Sequence, residues 1–199
     1  MAAEEPHLHL ASASPRRREI LERLGLRVRV EATEVDETPR TGEAPAAFVE
    51  RLAREKCEAG RTAARGLPVL GADTAIDLEG AILGKPADRA EGLAMLQRLG
   101  GRSHSVHTAV AVAGPAGLES RCVTTEVTLV PISMEEAAAY WASGEPADKA
   151  GGYAIQGRGE VFVERIHGSC SAVAGLPLQV TAELLARQGL APWKEVDGE

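Results

Sequence analysis

Two long, apolar-rich segments, Ser103–Ala113 and Leu118–Val130, flank Gly114-Pro115-Ala116-Gly117, and no other feature constrains this chain as strongly. Strand-type runs separated by a short Gly/Pro break read as a hairpin, so the spacing predicts a long antiparallel pair. Strands and helices are mixed around it without strict alternation. Leu8–Ala11 suits a short strand, and Val28–Val35 places Val28, Val30 and Ala32 on one face. Pro68–Asp73 reads as a short buried strand ending in a carboxylate, with a hairpin of Thr74–Leu78 and Ala81–Leu83 after it. Val161–Ile166 is a further strand. Helices are expected from Ser14 to a stop at Gly25, over Ala46–Ala64 and over Arg89–Leu99. Two more run from the capping box at Ser133–Glu136 to about Ala142, and over Leu178–Gln188. The expected fold is α/β in the broad (α+β) sense, a mixed sheet with flanking helices.

A chain of 199 residues makes one large domain or two small lobes around one cleft. We assign 8–190 to that domain, 1–7 to a loose lead-in and 191–199 to a polar tail. Aromatics are only 3% of the residues, so the core is expected to be aliphatic. A net charge of -7 disfavours nucleic acid and anionic membranes as partners, because both need a positive surface. Cys57, Cys122 and Cys170 are odd in number and form no CxxC pair, which speaks against a zinc site or a disulfide framework. With no apolar leader and no membrane-length run, the chain reads as cytoplasmic.

Ser14-Pro15 has the form of a helix start, with serine as N-cap and proline in the first turn. Arg16 and Arg17 then lie at the positive end of the helix dipole, where cations are disfavoured unless an anion joins them. With Ser12, Ser14 and the free N–H groups, they compose either a phosphate site or a solvated basic helix start. Lys56 follows Phe48 and Leu52 at helical spacing on the buried stripe, where a snorkelling lysine is the bland explanation. Gly80–Pro86 lacks the spacing and the hydroxyl of a phosphate-binding P-loop, and the five histidines form neither a metal motif nor a nucleophile partner. What remains is the cations Arg16, Arg17, Lys56, Lys85 and Lys149 with the acids Glu37 and Asp73. Such a set suits phosphoanhydride hydrolysis: cations and a metal stabilise spreading charge while a carboxylate activates water. Taken singly, each lysine is more often a surface residue and each acid a solvated turn former.

Ordered blocks give a more specific pointer. They are Leu10-Ala11-Ser12 with Ser14-Pro15-Arg16-Arg17, Ala53-Arg54-Glu55-Lys56, Gly71-Ala72-Asp73-Thr74 and Gly84-Lys85-Pro86. Asp148–Tyr153, Ile155-Gln156-Gly157 and Gly175-Leu176-Pro177-Leu178 continue them. Over roughly residues 8–190 the chain resembles the Maf family of nucleoside triphosphate pyrophosphatases. The resemblance implies an elongated mixed sheet with two lobes around a central cleft, a fold shared with the inosine triphosphate pyrophosphatases. It implies hydrolysis to monophosphate and pyrophosphate with a divalent cation, Mg or Mn, and a homodimer. By the same resemblance Asp73 is the general base and Glu37 a catalytic or metal-associated acid, with Asp36 beside it as the alternative. Ser12, Arg17, Lys56 and Lys85 hold phosphates and complete the site, with Lys149 in a matching motif. Arg16, Thr74 and Gln156 match the branch acting on dTTP and UTP rather than the 7-methyl-GTP branch, and Cys170 stands where an aromatic is usual. The resemblance also leaves room for another base, or for a nucleotide-sensing regulator of septum formation with little turnover.

Overall fold

The computed structural model describes residues 5–191. Its strands are β1 (Leu8–Leu10), β2 (Val28–Val30), β3 (Val69–Leu78), β4 (Ala81–Leu83), β5 (Ser103–Gly114), β6 (Gly117–Leu129) and β7 (Val163–His167). They form one sheet in the order β2-β1-β3-β5-β6-β7, with β4 added to β3. β1 runs parallel to β2 and β3, whereas β3–β4 and β6–β7 are antiparallel, so the sheet is mixed as expected. The helices are α1 (Pro15–Glu22), α2 (Pro45–Gly60), α3 (Arg89–Leu99), α4 (Met134–Ala142), α5 (Cys170–Val173) and α6 (Leu178–Arg187).

The hairpin of β5 and β6 forms as the Gly114–Gly117 break requires. α1 starts where proline and a capping serine put it, the Ser14 hydroxyl accepting from Arg17 N at 3.4 Å. At α4 the Ser133 hydroxyl accepts from Glu136 N at 3.2 Å and the Glu136 carboxylate returns the bond to Ser133 N at 2.8 Å. That reciprocal cap satisfies two N–H groups that a helix start otherwise leaves open.

Four expectations change. The strand expected over Val28–Val35 stops at Val30, because its partner β1 ends at Leu10, where the chain turns toward α1. α2 closes at Gly60 rather than Ala64; Arg65 and Gly66 follow with positive φ, which no right-handed helix allows. Asp73 does not end a strand. β3 runs unbroken for ten residues, registering with β1 at Val69 and Leu70 and with β4 from Ile76 to Leu78. Asp73 thus lies in the stretch of β3 between its pairings with β1 and β4. Finally, β7 begins at Val163, since Val161 and Phe162 belong to a preceding 3₁₀ turn.

The lead-in expected over 1–7 falls partly outside the described residues, as does the tail except for Ala191. The described part is tied down: His7 is buried and its N–H donates to Arg27 O at 2.8 Å.

The chain divides into two compact units. The first holds residues up to Asp73, Thr108–Cys122 and the chain from Gly175; the second holds Thr74–His107 and Val123–Ala174. The first unit's core is mainly aliphatic, with Leu10, Leu21, Leu52, Leu70 and Leu185 fully or almost fully buried and Phe48 buried as well. The second corrects the all-aliphatic expectation: Tyr140, Tyr153 and Phe162 join Leu96, Leu99 and Val127 in its core. Few aromatics in the chain does not mean few in one core. Among the described residues no helix is long and apolar enough to cross a membrane.

Candidate active site

In the first unit, α2 and β3 pack closely enough to bring a lysine and an aspartate together. Gly71 permits the approach, since a Cβ there would overlap the backbone of Ala53 and Cys57 in α2. Two residues further along β3, and on the same face, Asp73 Oδ1 accepts from Lys56 Nζ at 2.6 Å. Both residues are buried, so Lys56 is not a lysine snorkelling to water. Its ammonium is held from a second side by Glu37 Oε1 at 2.7 Å, from a carboxylate that is mostly exposed. Glu37, not Asp36, makes this contact; the Asp36 carboxylate turns back to accept from Thr38 N at 3.0 Å, and the Thr38 bonds hold it below its usual range.

The start of α1 supplies the other half of this cluster. Arg17 donates from Nε to Gly175 O at 2.9 Å and from Nη1 to Ser12 Oγ at 3.3 Å. Burial works against the Arg17 charge and holds its pKa below the usual value, while Asp73 and Glu37 act to retain that charge. Ser14 joins through its backbone, donating to Ser12 Oγ at 3.2 Å. Arg16 differs from its neighbour, pairing along the helix with Glu19 at 3.0 Å. Ser12 with Arg17, and Glu37 and Asp73 with Lys56, thus form two hydrogen-bonded groups, and the two carboxylates act electrostatically on the Arg17 charge.

The loop bearing Glu37 is anchored by residues that sequence reading missed. Arg51 of α2 donates to both Glu43 carboxylate oxygens, at 2.6 and 2.8 Å, and to Thr38 O at 3.2 Å. Its remaining Nη1 reaches Glu55 at 3.2 Å. The bidentate pair holds the Glu43 carboxyl down at about 2. Only the Arg51–Glu55 spacing of four was readable locally; the Glu43 pairing spans the loop and helix start.

Thr74, Lys85, Lys149 and Gln156 belong to the second unit. Thr74 follows Asp73 in β3 and so faces the strand's opposite side. Lys85 is exposed after β4, and the adjoining Gly84 O accepts from Gly151 N at 2.9 Å, which ties the Lys85 segment to the Asp148–Tyr153 segment. Lys149 pairs with its neighbour Asp148. Gln156 is exposed and lines an open pocket of about 640 Å³ with Ile155, Val163, Ile166 and Cys170 and the charged Glu160, Glu164 and Arg165. A space of that size takes a small ligand.

Among the described residues no group of three or more His, Cys, Asp or Glu is placed to hold a metal. Glu37 and Asp73 converge on one cationic centre, the Lys56 ammonium. Carboxylate oxygens are the donors a Mg²⁺-type ion takes, and such an ion uses one or two of them and completes its shell with water and substrate oxygens.

A family model described as Maf-like protein matches residues 7–188 of this chain. The dTTP/UTP pyrophosphatase of Myxococcus xanthus is 51% identical over 195 residues, covering 98% of this chain and 99% of that protein. That of Saccharophagus degradans is 49% identical over 193 residues, covering 95% and 92%. Among solved structures, the Ham1 protein of Staphylococcus aureus is a remote likeness, at 17% identity and a TM-score of 0.45 over 62% of this chain and 71% of that one.

Proposed function

Because this chain belongs to the Maf family, we propose that it hydrolyses dTTP and UTP to the nucleoside monophosphate and pyrophosphate. It is a nucleotide pyrophosphatase, and modified pyrimidine triphosphates are further substrates to be cleared from the nucleotide pool. What carries the reading at the level of chemistry is the buried ammonium of Lys56 between Asp73 and Glu37, beside Ser12 and Arg17 at a helix start.

In this reading, phosphate oxygens take the Ser12 hydroxyl and the Arg17 guanidinium at the start of α1. Lys85 and Lys149 are assigned to the phosphates by the family motifs alone. Asp73 accepts a proton from water as the water oxygen bonds to the α-phosphorus. The bond from that phosphorus to the bridging oxygen breaks, and pyrophosphate leaves. Lys56 orients Asp73 for that task. A Mg²⁺ or Mn²⁺ ion held by Glu37 and Asp73 would neutralise charge on the phosphates. The Gln156 amide, with one donor and one acceptor side, complements the edge of uracil or thymine. Arg16 and Thr74 stand with it in the dTTP/UTP pattern, whereas a methylated guanine cation calls for an aromatic and a carboxylate. A homodimer in the cytoplasm is part of the same proposal; three free cysteines suit a reducing compartment.

Pyrophosphate release from a triphosphate panel, with Mg²⁺ or Mn²⁺ and wild type beside Asp73→Asn, tests this reading. Turnover of dTTP and UTP is expected, lost by ~10²–10⁴ in the variant with the fold retained. Turnover of 7-methyl-GTP alone would overturn the base assignment, and nucleotide binding without turnover would leave a sensor. An active Asp73→Asn protein would move the base role to Glu37.

A further inference from the structure

The second unit contains a polar clamp that the proposed reaction does not itself use. Tyr140 of α4 is buried, with its ring edge-on to Phe162 at a centroid distance of 5.5 Å. Its hydroxyl donates to Glu145 Oε1 at 2.6 Å and accepts from Ala154 N at 3.0 Å. The same carboxylate accepts from Gly159 N at Oε1 and from Arg158 N at Oε2, both at 3.0 Å. One hydroxyl–carboxylate pair therefore grips the backbone on both sides of Ile155-Gln156-Gly157. Gly157 and Gly159 make the grip feasible: a Cβ at either would collide with the Glu145 carboxylate or, 2.5 Å away, the Tyr140 hydroxyl. Tyr153, just ahead of the gripped segment, is fixed separately by His104 Nε2, 2.7 Å from its hydroxyl.

Burial acts to raise the Glu145 carboxyl, but the Tyr140 hydroxyl and the two backbone N–H groups outweigh it and hold the group below its usual range. The clamp thus stays charged at neutral pH. Glycine-rich chain carries high conformational entropy, and a segment left free would have to be ordered on each binding event. Gln156, at the centre of the gripped tripeptide, lines the cavity, and hydrogen-bond recognition of a base edge tolerates little displacement.

We propose that Tyr140 and Glu145 are positioning residues that set base selectivity by fixing where Gln156 stands. This rests on the reading that Gln156 recognises the pyrimidine edge. The clamp acts on binding of the base and leaves the chemistry at phosphorus alone. Tyr140→Phe removes one oxygen and keeps the buried ring; Glu145→Gln, at a less buried residue, keeps the shape and removes the charge.

The experiment measures kcat and KM for UTP, dTTP and CTP in wild type, Tyr140→Phe, Glu145→Gln, Gln156→Ala and the Tyr140→Phe/Gln156→Ala double variant. Amide hydrogen exchange at Ala154, Arg158 and Gly159 is measured on the same proteins. A misplacement of about 1 Å is worth up to ~10²-fold. The clamp variants are expected to raise KM for UTP and dTTP on the order of 10- to 100-fold, with kcat within about twofold, and to narrow the UTP-to-CTP ratio of kcat/KM. Exchange at the three amides is expected to quicken, and the double variant to lose no more selectivity than Gln156→Ala. Unchanged exchange overturns the clamp itself. Faster exchange with selectivity intact, while Gln156→Ala loses it, overturns the positioning role. Selectivity intact in Gln156→Ala overturns the base reading first, and the proposal with it.

Discussion

Acidification from pH 7.5 to 4.5 is expected to destabilise the protein through one buried histidine. His104 is 4% exposed in the core of the second unit, and burial pushes its pKa down to about 4 from the ordinary 6.5. Nε2 has Tyr153 Oη at 2.7 Å, but Nδ1 is buried with no hydrogen-bond partner among the described residues. A proton added there would be a buried cationic N–H with no acceptor among the described residues. Between pH 6.5 and about 4 the unfolded chain binds a proton that the folded chain does not. Stability is therefore complete above 6.5 and falls as the pH drops toward 4, where the loss levels off. A gap of about 2.5 pKa units at 1.36 kcal/mol each amounts to about 3 kcal/mol, a large share of the ~5–15 kcal/mol that stabilises a domain. His9, buried in the first unit, is depressed as well, by burial, so the wild-type slope alone does not isolate His104. Urea unfolding at pH steps between 7.5 and 4.5 is therefore compared with His104→Gln, which has no ring to titrate. The variant is expected to lose about 2–3 kcal/mol less across that range. Parallel curves for the two proteins would refute the assignment, as would a wild-type stability that stays flat down to pH 4.5.

Gly71→Ala is expected to force β3 away from α2, because the new methyl meets backbone rather than a movable side chain. A loss of about 1–3 kcal/mol in thermal or urea unfolding, with a lower kcat/KM, is expected from overpacking and from separating Asp73 from Lys56; wild-type behaviour in both assays would contradict the close approach. Arg51→Ala is expected to release the Glu37 loop and lower kcat/KM on the order of tenfold while the circular dichroism spectrum is retained. Arg51→Lys is expected not to restore it, since an ammonium does not make the bidentate pair with Glu43. Full activity in Arg51→Ala would mean that Glu37 is placed by other contacts.

Local signals in the chain were legible wherever the physics is local. Ser14-Pro15 and Ser133–Glu136 start helices because the capping groups lie within three residues of the N–H groups they satisfy. Gly114–Gly117 turns the long hairpin for a similar reason. Lys56 was placed on the buried stripe of α2 by its spacing from Phe48 and Leu52, but that periodicity says nothing about what the ammonium meets. The choice between Asp36 and Glu37 was equally closed to sequence, because neighbouring acids in a loop differ only in which way the folded loop turns them.

The mixed strand-and-helix class, nearly all of the elements and the family were thus legible in the chain itself, as were the residue types from which the structure joins Lys56 to Asp73 and Glu37. The tertiary structure alone decided that β3 runs through Asp73, that Lys56 stands between two carboxylates, and that Arg51 and Glu145 hold the loops bearing Glu37 and Gln156. Caps and turns are settled over a few neighbouring residues. Strand length depends on which partner lies alongside, and an ion pair on which distant segment is brought to within 3 Å, so both wait on the packing of the whole chain.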